Sequence, residues 1–179
     1  MYNVIDSFYA GQISTTALAA MGLSFPVFLL IIATSGGLSR GASALIANAI
    51  GSREEDKQRR YIAQSLSMGL VVSLALTVTG ILAAKPLFQL LGATGEYLTI
   101  ALSYMNPIFL GSIFFLISNL SNAILIASGD SKTFSKVLVV GFFLNLILDP
   151  WFLYGGFGLP AMGIAGIAWA TVVIQIAGS

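Results

Sequence analysis

The sequence has no cysteine and no histidine. Without cysteine there is no disulfide, no thiolate metal site and no palmitoylation on this stretch. Without histidine, Ser-His dyads of the rhomboid kind, intramembrane metalloprotease centres and haem ligation each lose an indispensable group. Charge is scarce as well: 8% of the 179 residues are Asp, Glu, Lys or Arg, against about 25% in a soluble domain. No phosphate loop, nucleotide fingerprint or metal motif occurs, so nothing marks an ATP-driven pump or an enzyme. Ser128-Gly129-Asp130 falls short of the Gly-x-Gly-Asp of intramembrane aspartyl proteases. The net charge of +1 gives a polyanion no reason to bind, and nucleic acid is excluded as a partner. The amino terminus lacks a basic leader region and carries Asp6 where a signal peptide would be apolar.

What is abundant is apolar surface: 57% of residues are hydrophobic and the mean hydropathy is +0.93. Seven of the fifteen charges fall in the run Arg53-Glu54-Glu55-Asp56-Lys57-Gln58-Arg59-Arg60. Residues 7–39, 61–84 and 97–129 carry none, and from 137 to 179 the only charge is Asp149. A bilayer admits only segments that satisfy their own backbone, and a spanning helix takes about 20 residues. The expected architecture is therefore an all-α polytopic transmembrane bundle, one domain over 1–179 with membrane lipid around it. Its spans are placed at 1–11, 17–42, 61–84, 97–127, 134–154 and 162–179. Breaks fall at Gly11-Gln12-Ile13-Ser14-Thr15-Thr16 and at Gly155-Gly156-Phe157-Gly158-Leu159-Pro160, where glycine and polar residues interrupt the apolar run. Segment one, at eleven residues, reaches only about 16 Å as a helix. The sequence thus reads as starting inside a helix and as part of a longer protein.

Lys and Arg set the orientation. Loops 52–60 and 129–136 with their flanks hold Arg40, Arg53, Lys57, Arg59, Arg60, Lys132 and Lys136, and the other side holds only Lys85. Both loops are expected in the cytoplasm, so segments one, three and five run outward. Arg40 reads as an interfacial, snorkelling side chain. Ser52-Arg53-Glu54-Glu55 fits a capping box for the next helix. Lys85-Pro86-Leu87-Phe88-Gln89-Leu90-Leu91 suits a short helix lying along the outer interface. Ala33, Gly37 and Gly41 make a small-residue stripe for close helix approach. Phe and Met, scattered through every span, read as packing and lipid-facing residues.

Two acids stand inside apolar segments, Asp6 and Asp149. A charged carboxylate in hydrocarbon costs about 2.5–3.5 kcal/mol, so such acids usually mark an ion or proton pathway rather than a headgroup contact. Both lie near the outer ends of outward-running helices and can share one depth. Asn145 stands one turn before Asp149 on the same face, and Pro150 within the helix frees the Leu146 carbonyl nearby. Tyr104, Asn119, Asn122 and Thr171 are the other polar residues of note; singly, each reads as helix-to-helix glue or as a backbone-bonding hydroxyl. The run from Asn3 through Asp6 to Gly11 is echoed from Asn145 through Asp149 to Gly155, as in transporters built from repeats.

These residues carry a resemblance. Asn3-x-x-Asp6-x-Phe8-x-x-Gly11 followed by Ala17-Leu18-Ala19-Ala20 resembles the opening of transporters of the MATE (multidrug and toxic compound extrusion) family. So do Gly41-Ala42-Ser43-Ala44-Leu45-Ile46-Ala47 before Gly51, Asn122 through Asp130, and Asn145 through Thr171. The resemblance implies one six-helix lobe, the amino-terminal one, of a twelve-helix fold. It implies a secondary antiporter that exports organic cations, drugs among them, in exchange for H+ or Na+ from a plasma (inner) membrane, with a second lobe as its partner and no other cofactor. It also implies that Asp6, Asp149, Asn145, Tyr104, Asn122 and Thr171 form the cation site, with sodium, if that is the ion, at Asp6 and Asp149. Two alternatives stand beside it: a lipid-linked oligosaccharide flippase of the same superfamily, for which basic rather than acidic cavity residues are expected, and an accessory membrane subunit that transports nothing.

Overall fold

The computed structural model describes residues 2–156, 158 and 160–179. Phe157 and Leu159 of the second expected break lie outside the described residues, as does the side chain of Asn3. Among the described residues seven helices follow one another: α1 (Tyr2–Ile13), α2 (Thr15–Gly51), α3 (Glu55–Leu90), α4 (Gly95–Leu110), α5 (Ser112–Ala127), α6 (Ser131–Tyr154) and α7 (Ile164–Ala177).

Local sequence sets most of these boundaries. Ser14 adopts extended backbone angles and its hydroxyl accepts the Ala17 N–H at 3.0 Å, so it caps α2 where the Gly-plus-polar stretch interrupts the apolar run. Three helices stop in the same way. After α2, α3 and α5 the backbone turns left-handed at Arg53, Gly92 and Gly129, and the next N–H reaches back to Ala49, Phe88 and Leu125 respectively. This corrects the capping box expected at Ser52: Ser52, Arg53 and Glu54 serve the end of α2, and Glu54 makes no side-chain cap on α3. A side-chain N-cap does occur at Asp130, at the start of α6. Its two carboxylate oxygens accept the Thr133 N–H at 3.0 Å and the Thr133 hydroxyl at 2.6 Å, which holds the Asp130 carboxyl below its usual range.

Among the described residues three helices are long and apolar enough to cross a membrane, Thr15–Gly51, Glu55–Leu90 and Ser131–Tyr154, and α4 with α5, bent by 49°, makes a fourth if the pair is one span. Where one segment was expected over 97–127, the chain breaks at Gly111, four residues after Pro107. A second correction concerns Lys85–Leu91. This stretch does not lie along the surface but continues α3 through Pro86, because Ala84 and Phe88 are buried in the core and hold it there. Thirty-seven and thirty-six residues make α2 and α3 each about 55 Å long, well beyond a core of about 30 Å. The charged turns Glu55–Arg60 therefore stand clear of the apolar stretch. Arg40 lies on the exposed side of an α2 that continues past it.

α2 is central, packed on α3, α4 and α5, while α7 lies against α6 and α4. The main core draws Met21, Phe28 and Ile31 from α2, Phe88 from α3, Met105 and Ile108 from α4, and Ile167 and Val172 from α7. Phe28 meets Phe115 edge-on at 5.7 Å. The outer surface is apolar too: Leu70, Val71, Leu74, Val78 and Leu82 of α3 all stand exposed, as lipid contact requires. With those spans, the chain is an integral membrane protein.

The stripe at Gly37 and Gly41 makes no close helix contact within the chain. A Cβ added at either glycine would meet nothing within 4 Å, and both line an open groove of about 600 Å³ between α2 and α3. The close approaches occur instead at Gly69, Gly80, Gly111 and Gly166, against Leu120, Phe109, Val172 and the Phe152 backbone.

The two charged ends of α3 supply a test of orientation. Ser52 and Thr94 are both exposed and lie just beyond its opposite ends. On the seven-to-one Lys and Arg bias, Ser52 is expected on the cytoplasmic side. In intact cells, Ser52→Cys is expected to resist an impermeant maleimide and Thr94→Cys to react. The reverse pattern would overturn the orientation.

Candidate cation site

Four polar side chains meet where α1, α6 and α7 come together. Asp6, Asn145, Asp149 and Thr171 are each 3% exposed or less. The Asn145 amide donates to Asp149 Oδ1 at 2.8 Å and to Asp6 Oδ1 at 3.2 Å. One nitrogen thus bridges two carboxylates, and the acids stand no farther apart than those two bonds laid end to end. The first bond follows from helical spacing, since 145 and 149 share a face. The second needs α1 and α6 side by side. Their ends are tied again where the Tyr154 hydroxyl donates to Gln12 Oε1 at 3.0 Å. Both pairs, 6 with 145 and 12 with 154, ascend together, so the two helices run parallel, and the echoed sequence pattern brings two acids to one depth. Thr171 closes the group from α7, its hydroxyl donating to Asp6 Oδ2 at 3.3 Å rather than to its own helix backbone.

The donors do not match the charge. Two ionised acids cost about 5–7 kcal/mol to bury on insertion scales, and the three hydrogen bonds they accept all come from neutral groups, which leave the net negative charge in place. No Lys or Arg reaches them; among the described residues the only ion pair joins Lys57 to Glu54, 2.7 Å apart in the charged loop. Asp149 Oδ2 and Asn145 Oδ1 are buried with no hydrogen-bond partner. The set is therefore rich in oxygen lone pairs and short of positive charge. It fits a proton, or a hard monovalent cation held by carboxylate, amide and hydroxyl oxygens.

Tyr104 is buried on α4 within electrostatic reach of both acids but makes no hydrogen bond to either. It lines a cavity of about 170 Å³ with Ser7, Leu18, Met21, Gly22, Phe25 and Phe28. Neither acid lines this apolar and aromatic chamber, but Tyr104 in its wall is within electrostatic reach of both and Ser7 follows Asp6 directly, so the chamber lies near them. Asn122 is not brought into the group. It is half-buried on α5, eleven residues past the Gly111 break and so about 16 Å farther along, beside a separate small core of Ala42, Ile46 and Leu120. Asn119 turns its amide back to the Phe115 carbonyl of its own helix at 2.8 Å. Ser7 escaped the sequence reading, although its position next to Asp6 was the signal for it.

The fold and the buried acid pair define a class, that of polytopic helical membrane proteins with ionisable groups inside the bundle. A model of the MatE family matches residues 1–151, and the chain belongs to that family. It is 31% identical over 184 residues to the probable multidrug resistance protein NorM of Thermotoga maritima, covering 100% of this chain and 39% of that protein. It is 29% identical over 171 residues to a protein named FAD transporter from Shewanella oneidensis, covering 96% of this chain and 38% of that protein. Among solved structures, a MATE crystal structure described as in the bent conformation superposes with a TM-score of 0.92 at 34% identity, covering 99% of this chain and 39% of that one. The chain spans less than two-fifths of the length of these relatives.

Proposed function

We propose that Asp6 and Asp149, bridged by Asn145 and joined by Thr171, bind a single coupling cation, a proton or a sodium ion. In this reading the whole protein exchanges that cation for an organic cation exported from the cytoplasm, across a plasma (inner) membrane. The observation that carries the reading is the shared Asn145 amide, because it makes one site of two acids that are 143 positions apart in sequence. The chamber near them supports an organic cation as cargo: Phe25, Phe28 and Tyr104 offer ring faces and the acids offer charge. A flippase for an anionic lipid-linked sugar would call for basic groups there. An accessory subunit would have no reason to keep a costly acid pair.

Exchange follows from linkage. Cation and cargo draw on the same negative charge, so release of one favours entry of the other when each prefers a different shape of the protein. Such shapes arise in transporters by rocking one repeat against another, and the second lobe is the proposed partner. Liposomes holding only residues 1–179 are therefore expected to show no ethidium efflux under an imposed proton or sodium gradient. A full-length polypeptide containing this chain is expected to show it. Efflux by 1–179 alone would mean that two copies suffice, and the two-lobe reading would fail. No efflux from the full-length polypeptide under either gradient would sink the transport reading.

A further inference from the structure

The cation site has a neighbour that is built as tightly as the site itself. Where α4 gives way to α5, the helical ladder lapses and the Phe109 carbonyl accepts the Thr77 hydroxyl of α3 at 2.8 Å. The Ser112 hydroxyl lies 2.8 Å from Thr77 Oγ1 and 3.1 Å from the Ser73 carbonyl, also on α3. Two hydroxyl protons are shared among these three contacts, two made at any moment, and pin the break to α3. The Phe109 ring packs into the space left by Gly80 of the same helix. The position of the break is therefore fixed on its α3 side.

On its other side the break meets α7 at a single glycine. A Cβ on Gly111 would stand 2.5 Å from Val172 Cγ2, 2.7 Å from Val172 Cγ1 and 3.2 Å from the Pro107 carbonyl oxygen. Real carbon atoms do not approach so closely, so something must shift. Val172 cannot swing aside, because a β-branched side chain in a helix has one strongly preferred rotamer, and this one is 1% exposed. Nor can α7 slide freely toward α6: a Cβ on Gly166 would stand 2.5 Å from the Phe152 carbonyl oxygen. α7 is held between two glycine contacts, and the residue before Val172 is Thr171, whose bond to Asp6 is already long at 3.3 Å. A displacement of a few tenths of an ångström along that line breaks it.

We propose that Gly111 and Val172 are positioning residues for the cation site: the bend between α4 and α5 sets where α7 stands, and through it whether the Thr171 hydroxyl reaches Asp6. This rests on the reading of Asp6 and Asp149 as a cation site and adds what regulates it. The bend of a helix that contributes only Tyr104 to the region would then tune affinity at the acids without touching the ion.

The test measures binding of the proton and of the sodium ion alone, on the 179-residue chain in lipid nanodiscs, by infrared titration of the buried carboxyls against pH and against NaCl. Loss of the Thr171 donor in Gly111→Ala is expected to change affinity by about tenfold, the value of one hydrogen bond to a charged group: sodium binds more weakly because an oxygen leaves the site, and the proton binds more tightly because ionised Asp6 loses a hydrogen bond that favoured it. Val172→Ile enlarges the same contact from the other side and is expected to do likewise. Gly111→Ala combined with Val172→Ala is expected to restore affinity to within about twofold, because the second substitution removes both methyls that the new methyl would meet. Gly111→Ala added to Thr171→Ala is expected to cost nothing beyond Thr171→Ala, because the effect runs through that hydroxyl. Native affinity in Val172→Ile, or failure of the double variant to recover, would overturn the proposal. If Gly111→Ala does not insert, Val172→Ile alone decides. Asp149→Asn separates the two levels: if it leaves binding intact, the cation-site reading has failed, whereas lost binding there with native binding in Val172→Ile sinks only the role of the bend.

Discussion

Asp149→Asn is expected to lower gradient-driven ethidium efflux by about two orders of magnitude, the upper end of common coupling energies, in a full-length polypeptide that contains this chain. The substitution removes a charge and keeps the shape. An Asn at 149 can still accept from the Asn145 amide, so the packing of α6 on α1 and α7 is retained, and expression and membrane insertion are expected to stay normal. What is lost is the excess negative charge that draws a cation to the site. Asp6→Asn is expected to have the same effect, because the two carboxylates flank one bridging nitrogen. The double variant is expected to be no worse than either single one, since residues that act as a unit are not additive. Near-normal coupled efflux by Asp149→Asn would refute the assignment of the site.

The acids and their partners were legible in the sequence for a physical reason. In a chain with 8% charge, each polar group within an apolar run is conspicuous, and the i, i+4 spacing of Asn145 and Asp149 already implied their bond. That Asp6 joins them was readable only through the parallel orientation of two helices far apart in sequence. The residues alone did not announce the Thr171 bond, because a threonine in an apolar helix more often bonds its own backbone; only the family resemblance put Thr171 with the acids. Asn122 looked equivalent to Tyr104 as a polar residue in the same expected span. The break at Gly111 separates them, and nothing in a run of apolar residues around one glycine announces a 49° bend apart from Pro107 four residues earlier.

Helix ends were read less well than helix centres. Ser52-Arg53-Glu54-Glu55 has the composition of a capping box, but the same residues can close the preceding helix, and the left-handed turn at Arg53 does so. The mirror-image omission is Asp130, whose spacing to Thr133 is that of a cap and which the structure uses as one. Lys85-Pro86 looked like the start of a surface helix because a proline and a cation usually mark an interface. Phe88, fully buried two residues later, keeps α3 intact instead. The glycines show a similar contrast. Gly37 and Gly41 form the stripe that pattern favours, yet Gly111 and Gly166, which belong to no stripe, carry the close contacts. Those contacts depend on which neighbour arrives, and one chain's periodicity does not report that.

The central claim is that Asp6 and Asp149 are one site. Infrared difference spectra of the 179-residue chain in lipid test it directly, because a protonated carboxyl in an apolar setting has its own carbonyl band, apart from those of the water-exposed acids. Two adjacent acids with one amide and one hydroxyl between them are expected to take up positive charge as a pair. The wild type is therefore expected to show one protonated-carboxyl band that disappears at alkaline pH, and also on adding NaCl if sodium is the ion. Asp6→Asn and Asp149→Asn are each expected to abolish or move that band, while Glu54→Gln and Glu96→Gln leave it unchanged. A band that keeps its position and its titration in either aspartate variant would mean that the acids act separately, and the account of a single cation site would be wrong.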